Sequence, residues 1–197
     1  MAIEGRTARE CFDGFERELK TFIPKVLTTV PFKIFIRDCE GDLKFPQGDD
    51  AISVPVETKL GTLYLYLRQQ LSAEWIEEKD QYRLTTKRYW YRLCKNQDSQ
   101  ELIRWEYRKR DREVNNSTCR NHVHIHGGGA FSLESNQKLP VSRLHLPTGW
   151  VTMEEILRFL IVDLGFSPLC GEEWPQILGA SEARFYRDFG AKQRGKA

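Results

Sequence analysis

The chain holds four histidines in 197 residues, at positions 122, 124, 126 and 145, all within one short stretch. The first three form His122-Val-His124-Ile-His126. Alternation of this kind fits a half-buried strand, in which residues two apart share a face. Three imidazoles would then line one side, about 6.7 Å apart per two-residue step, with Val123 and Ile125 pointing into a core. Such a face has three uses. Alternate imidazoles can converge on zinc or iron, with His122, His124 and His126 as ligands and His145 or Glu106 as a fourth. Without a metal they can act as acid and base: His122, His124 and His126, with Glu106, could take the proton of an RNA 2′-hydroxyl and protonate the leaving oxygen. Or they can be surface residues of a polar sheet face. Crowding of every histidine into one stretch favours a functional role over the third.

Cations surround this stretch. From Lys87 to Arg120 ten Lys/Arg stand against five Asp/Glu, a local charge of +5, and the rest of the chain is −3. Arg88, Arg92, Arg104, Arg108, Arg110 and Arg120 are the candidates for contacts to phosphates. A solvated, salt-bridged sheet face is the plainer alternative. Trp90, Trp105 and nearby tyrosines could stack on bases, although such aromatics more often belong to a core.

The elements that position these groups are legible from periodicity. Leu84 to Cys94 places Arg88, Trp90 and Arg92 on one parity and Tyr89, Tyr91 and Leu93 on the other. After a polar turn, Leu102 to Arg108 sets Arg104, Glu106 and Arg108 opposite Ile103, Trp105 and Tyr107, which fits a hairpin. If the histidine strand joins this sheet, its polar face lies alongside Arg104, Glu106 and Arg108. Strands are also expected over 32–37, over 52–56 at an edge because of Pro55, and over 62–67. The stretch 69–81 reads as either a short helix or a loop. Thr7 with Glu10 and Thr152 with Glu155 are capping boxes opening amphipathic helices over 7–23 and 152–165, and a shorter one runs over 181–190. The fold class that follows is α+β: an antiparallel sheet of about five to seven strands over 32–146, packed by N- and C-terminal helices in one domain spanning 1–197.

Composition narrows the setting. Five scattered cysteines, odd in number and without a Cys-x-x-Cys pair, argue against a disulfide framework or zinc ribbon and for a reducing compartment. No apolar run approaches the ~20 residues of a bilayer span, and no signal peptide is evident, so a cytoplasmic location is expected. Ile3-Glu4-Gly5-Arg6 matches a protease-recognition tetrapeptide and carries no functional weight. The triple glycine at 127–129 lacks a phosphate-loop ending. Leu146-Pro-Thr-Gly149 reads as the turn before the capped helix. Cys119, three residues before His122, could pair with it as a nucleophile but has no evident orienting group.

Tyr91-Arg-Leu93, Leu102-Ile-Arg-Trp-Glu-Tyr107, a basic stretch, Asn121-His-Val-His124 and a capped helix follow in that order. The arrangement resembles the small TumE-type toxins of bacterial toxin–antitoxin pairs over roughly Tyr89 to Gly165. The family's Arg-Tyr-Asp element corresponds to Arg104-Trp105-Glu106, with Glu106 at the acidic position. The resemblance implies a cytoplasmic toxin or defence effector acting on RNA without an obligatory cofactor, with a cognate antitoxin protein as partner. A non-catalytic nucleic-acid- or partner-binding module and a small His-ligated metalloprotein are the alternatives.

Overall fold

The computed structural model describes residues 3–47, 50–51, 53–97, 100–109, 121–126, 130–132, 138–140 and 146–189. In chain order the elements are β1 (Glu4–Gly5), α1 (Ala8–Lys20), α2 (Ile23–Val26), β2 (Lys33–Arg37), β3 (Glu40–Lys44), β4 (Pro46–Gln47), β5 (Asp50–Ala51), β6 (Val54–Thr58), β7 (Gly61–Ile76), β8 (Gln81–Cys94), β9 (Glu101–Arg108), β10 (Asn121–Ile125), β11 (Ala130–Ser132), β12 (Lys138–Pro140), β13 (Leu146–Pro147), α3 (Met153–Val162) and α4 (Trp174–Phe189). The fold is α+β, with helices packed against an antiparallel sheet. That sheet has nine strands, more than the five to seven expected, in the order β13-β10-β9-β8-β7-β3-β2, with β1 on β8 and β6 on β7. Two further two-stranded ladders pair β11 with β12 and β4 with β5.

The long hairpin β7–β8 is the spine. Its strands, 16 and 14 residues long, each outlast one neighbour. β7 pairs with β6 through its first half and β3 through its second. β8 pairs with β1 through its first half and β9 through its second. The stretch 69–76, expected as a short helix or loop, is the second half of β7. Its period-two pattern is masked by Gln69, which faces inward at 5 % exposure with its amide donating to Thr86 Oγ1 at 2.7 Å and accepting from the Tyr91 hydroxyl at 3.2 Å. The Ile3–Arg6 tetrapeptide also joins the sheet. Glu4 pairs with Arg83 in register, and its carboxylate holds Lys79, Gln81 and Arg83.

The inner face of the sheet carries Leu65, Leu67, Tyr89, Tyr91, Leu93 and Tyr107, in one cluster with Phe22, Met153, Ile156, Leu157, Leu160 and Leu178. Fully burying each aliphatic side chain is worth about 1.5–3 kcal/mol, so this layer dominates stability. Both capping boxes form as their sequences require. α3 ends at Val162, short of 165, and Gly165 makes the exit with φ +71, a conformation glycine adopts without strain. α4 begins at Trp174, about two turns before the expected start at 181. In β3, Gly41 lies under α1: a Cβ there would come 2.6 Å from the Phe12 ring, so a side chain would push the helix off the sheet. No helix among the described residues is long and apolar enough to cross a membrane.

Candidate functional site

β10 is an internal strand. It pairs with β9 from Asn121 to Ile125 and with β13 through His122 and Val123. The register sets His122 opposite Glu106 and His124 opposite Arg104. One strand further, Glu106 stands across from Trp90, and Arg104 across from Arg92. The outer face of β8–β10 therefore gathers Arg88, Trp90, Arg92, Arg104, Glu106, His122 and His124.

Glu106 is the hub. Its Oε1 accepts from Arg88 Nη2 at 2.6 Å. Its Oε2 lies 3.7 Å from Arg104 Nε and 3.8 Å from His122 Nε2. The second distance exceeds a hydrogen bond and leaves the interaction electrostatic. Ligand atoms of Glu106, His122 and His124 all lie within 4.8 Å of one another. The imidazole rings of His122 and His124 are 4.9 Å apart, edge to face, and that of His126 is 6.1 Å from His124.

The third histidine belongs to a second hub. His126 Nε2 lies 3.2 Å from Glu101 Oε2, and the same carboxylate meets Arg92 Nη1 at 3.2 Å and Arg104 Nη1 at 3.4 Å. Arg104 thus joins the two carboxylates. Sequence spacing does not reveal Glu101. Plain alternation puts it on the opposite face from Arg104, but the ladder shifts register between Leu93 and Cys94, which pairs Cys94 with Glu101 and Leu93 with Ile103. The extra residue, Leu102, turns Glu101 over to the polar side.

Exposure reverses one expectation. His122 and His124 are buried, at 8 % and 5 %, whereas Ile125 is 42 % exposed. Neither Val123 nor Ile125 belongs to a core cluster. On the inner side the apolar layer reaches β9 through Trp105 against Phe159 at 5.7 Å, so at β10 the histidine side is the more enclosed one.

The arginines are also engaged. Arg88 stacks over Trp90 at 3.8 Å, with Arg68 on the same ring at 5.5 Å, and Arg92 lies over Tyr66 at 4.6 Å. These guanidinium–ring contacts occupy faces expected to be open to bases. Trp105 faces the core instead. Arg108 is exposed at the end of β9. Arg110, Arg120, His145, Cys119 and the glycines 127–129 lie outside the described residues. Beneath the site, Tyr89 accepts the Val151 amide at 3.1 Å, and burial pushes its phenol up to about 12, so it stays neutral.

Chemically, the outer face offers two adjacent imidazoles, a carboxylate that can orient one of them, and three guanidinium groups. Compared with known proteins, the chain matches no protein-family model, no curated protein and no solved structure.

Proposed function

We propose that the outer face of β8–β10 cleaves RNA by acid–base transesterification, as a cytoplasmic toxin or defence effector. His122 and His124 serve as the acid–base pair, and Glu106 orients His122 from across the ladder. One imidazole takes the 2′-hydroxyl proton as O2′ bonds to phosphorus. The other protonates O5′ as the P–O5′ bond breaks, leaving a 2′,3′-cyclic phosphate and a 5′-hydroxyl. Arg104 and Arg92 exchange part of their hold on Glu101 for the phosphoryl oxygens, whose charge grows in the transition state. The observation that carries this reading is the convergence of Glu106, His122 and His124 within 4.8 Å beside Arg88 and Arg104.

A second reading rests on the same three residues as a metal centre, since two imidazoles and a carboxylate make a known ligand set. Metal ligation needs donor atoms about 2.0–2.1 Å from the ion, hence a contraction of the trio to spacings of about 3.3 Å. Arg88 at 2.6 Å and Arg104 at 3.7 Å from Glu106 add positive charge where a cation would sit. That charge favours an anionic guest and ranks the phosphodiester first.

Incubating purified protein with single-stranded and structured RNA, with and without excess chelator, tests the proposal. Fragments ending in cyclic phosphate in both conditions support it. Cleavage abolished by chelator, together with stoichiometric metal by elemental analysis, favours the metal centre. No cleavage of any RNA leaves a non-catalytic binding module, for which co-purification of a small antitoxin-like partner is the measurement.

A further inference from the structure

A cavity lies on the opposite face of the sheet, remote from the histidines in the layering of the fold. It is a half-open cleft of about 370 Å³ between α1, the inner face of β7–β8 and the α3–α4 pair. Protein interiors are packed as densely as organic crystals and seldom leave voids larger than a water. A space on the order of ten waters inside the apolar layer falls in the range of small-molecule pockets.

Its walls are chiefly apolar and aromatic, with Phe15, Phe22, Leu71, Trp150, Met153 and Phe185 among them. Set into them are two polar points. On the sheet, the Gln69 amide is bracketed by the hydroxyls of Thr86 and Tyr91. On the helices, the Ser181 hydroxyl donates to Glu154 Oε1 at 2.5 Å. Gln69, Tyr91, Glu154 and Ser181 are all buried. Desolvation by burial raises the Glu154 carboxyl above its ordinary value, against hydrogen bonds that lower it, and burial raises the Tyr91 phenol well above its own. The buried polar points thus offer hydrogen-bonding groups from Gln69, Thr86, Tyr91 and Ser181, with the Glu154 carboxyl beside Ser181. Charged groups on the lining include Arg184 and Glu18, which join at 2.8 Å and tie α4 to α1.

A second feature points to the same cavity. Gly14 sits in the middle of α1, where glycine is costly to a helix, and it lies on the cavity lining. A Cβ there would meet Ile3 Cγ2 at 3.1 Å. That contact is tight, so a side chain at this position requires Ile3 to give way.

We infer that this cavity binds an uncharged small molecule with a flat apolar body and a polar group that reaches Gln69–Thr86–Tyr91 or Glu154–Ser181. The aromatic walls match a planar body. Desolvation in a chiefly apolar space disfavours an ionised ligand. Glu4 on the lining is already paired with Lys79 and Arg83, and Glu18 with Arg184.

The test uses the neutral fluorophore N-phenyl-1-naphthylamine and the full chain. Saturable enhancement at one probe per chain is expected, together with added hydrogen-exchange protection confined to residues 14–22, 69–71, 84–91, 150–154 and 181–185. Leu71→Phe and Met153→Phe, which add volume at the lining, are each expected to weaken probe binding about tenfold or more without lowering the melting temperature by much. Absence of saturable binding by the parent overturns the inference. So does unchanged binding in a folded filling variant, or protection that appears elsewhere. Should either variant fail to fold, the other variant and the exchange map of the parent decide.

Discussion

His122 faces Glu106 directly across the β9–β10 ladder, with its Nε2 3.8 Å from Glu106 Oε2, while Arg88 holds the other oxygen of the same carboxylate at 2.6 Å. One carboxylate thus ties three neighbouring strands together on the face that carries the histidines. Glu106→Gln removes its charge but keeps its shape. Arg88 and Arg104 then lose a counter-charge in a partly enclosed site, which is expected to cost about 1–3 kcal/mol of stability and to slow RNA cleavage at least about tenfold, a loss of ~1.4 kcal/mol. Chemical denaturation and single-turnover cleavage measure the two effects separately.

Leu160 on α3 is fully buried in the main core cluster. Leu160→Asp places an unpaired carboxyl among Leu and aromatic side chains, and the expected loss exceeds about 4 kcal/mol. Insoluble or unfolded protein by circular dichroism is the expected outcome. A soluble variant with the parental melting temperature would contradict the packing of α3 on the sheet.

Much of the site could be read from the sequence because β8 from Arg88 to Arg92, β9 from Arg104 to Glu106 and β10 from His122 to His124 alternate without interruption. Arg88, Trp90, Arg92, Arg104, Glu106, His122 and His124 share a face, as their parity requires. What could not be read depends on pairing. Glu101 reaches that face through a shift in register that alternation alone does not reveal, and the second half of β7 is disguised by an inward Gln69 whose partners lie 17 and 22 residues away. The burial of His122 and His124 depends on the whole layer arrangement. The inner cavity is assembled from α1, the sheet and the C-terminal helices, whose residues share no local signature.

Burial of Glu154 carries a pH signature. Desolvation raises its folded-state value, so the folded protein binds its proton more tightly than the unfolded chain. Its contribution is therefore most favourable at acid pH and declines as pH rises past the unfolded value toward the folded one. Glu74 has the opposite sign: burial works against it, but the Lys109 and Thr85 hydrogen bonds and nearby Lys charges hold it below its ordinary value, so its contribution is present at neutral pH and disappears on acidification. Glu154→Gln keeps an acceptor for Ser181 and removes the ionisation cost. Its melting temperature is expected to exceed the parent's near pH 7.5, by about 2–4 °C per kcal/mol removed, with no gain near pH 3.5. Melts at the two pH values check this, and an equal shift at both would contradict it.

Arg108 is exposed at the end of β9 and suits a clean test of phosphate binding. Arg108→Glu is expected to weaken RNA binding across sequences at low salt and to reduce the slope of log affinity against log salt by about 0.7–1 for each phosphate no longer neutralised. Fluorescence anisotropy at several salt concentrations measures both. An unchanged slope would remove Arg108 from the interface.

The histidine pair itself gives the most direct test. Because His124 is only 5 % exposed, truncation to alanine would open a cavity and confuse catalysis with stability. Asparagine keeps hydrogen-bonding capacity, leaves a smaller void than alanine does, and removes the imidazole. The decisive measurement is single-turnover RNA cleavage, in excess chelator, by the parent, His122→Asn and His124→Asn at matched folded fractions. The expected result is cyclic-phosphate product from the parent, and a rate at least about a hundredfold lower in each variant, as befits loss of a general acid or base. Cleavage by either variant at the parental rate, or no cleavage by the folded parent, would contradict the account.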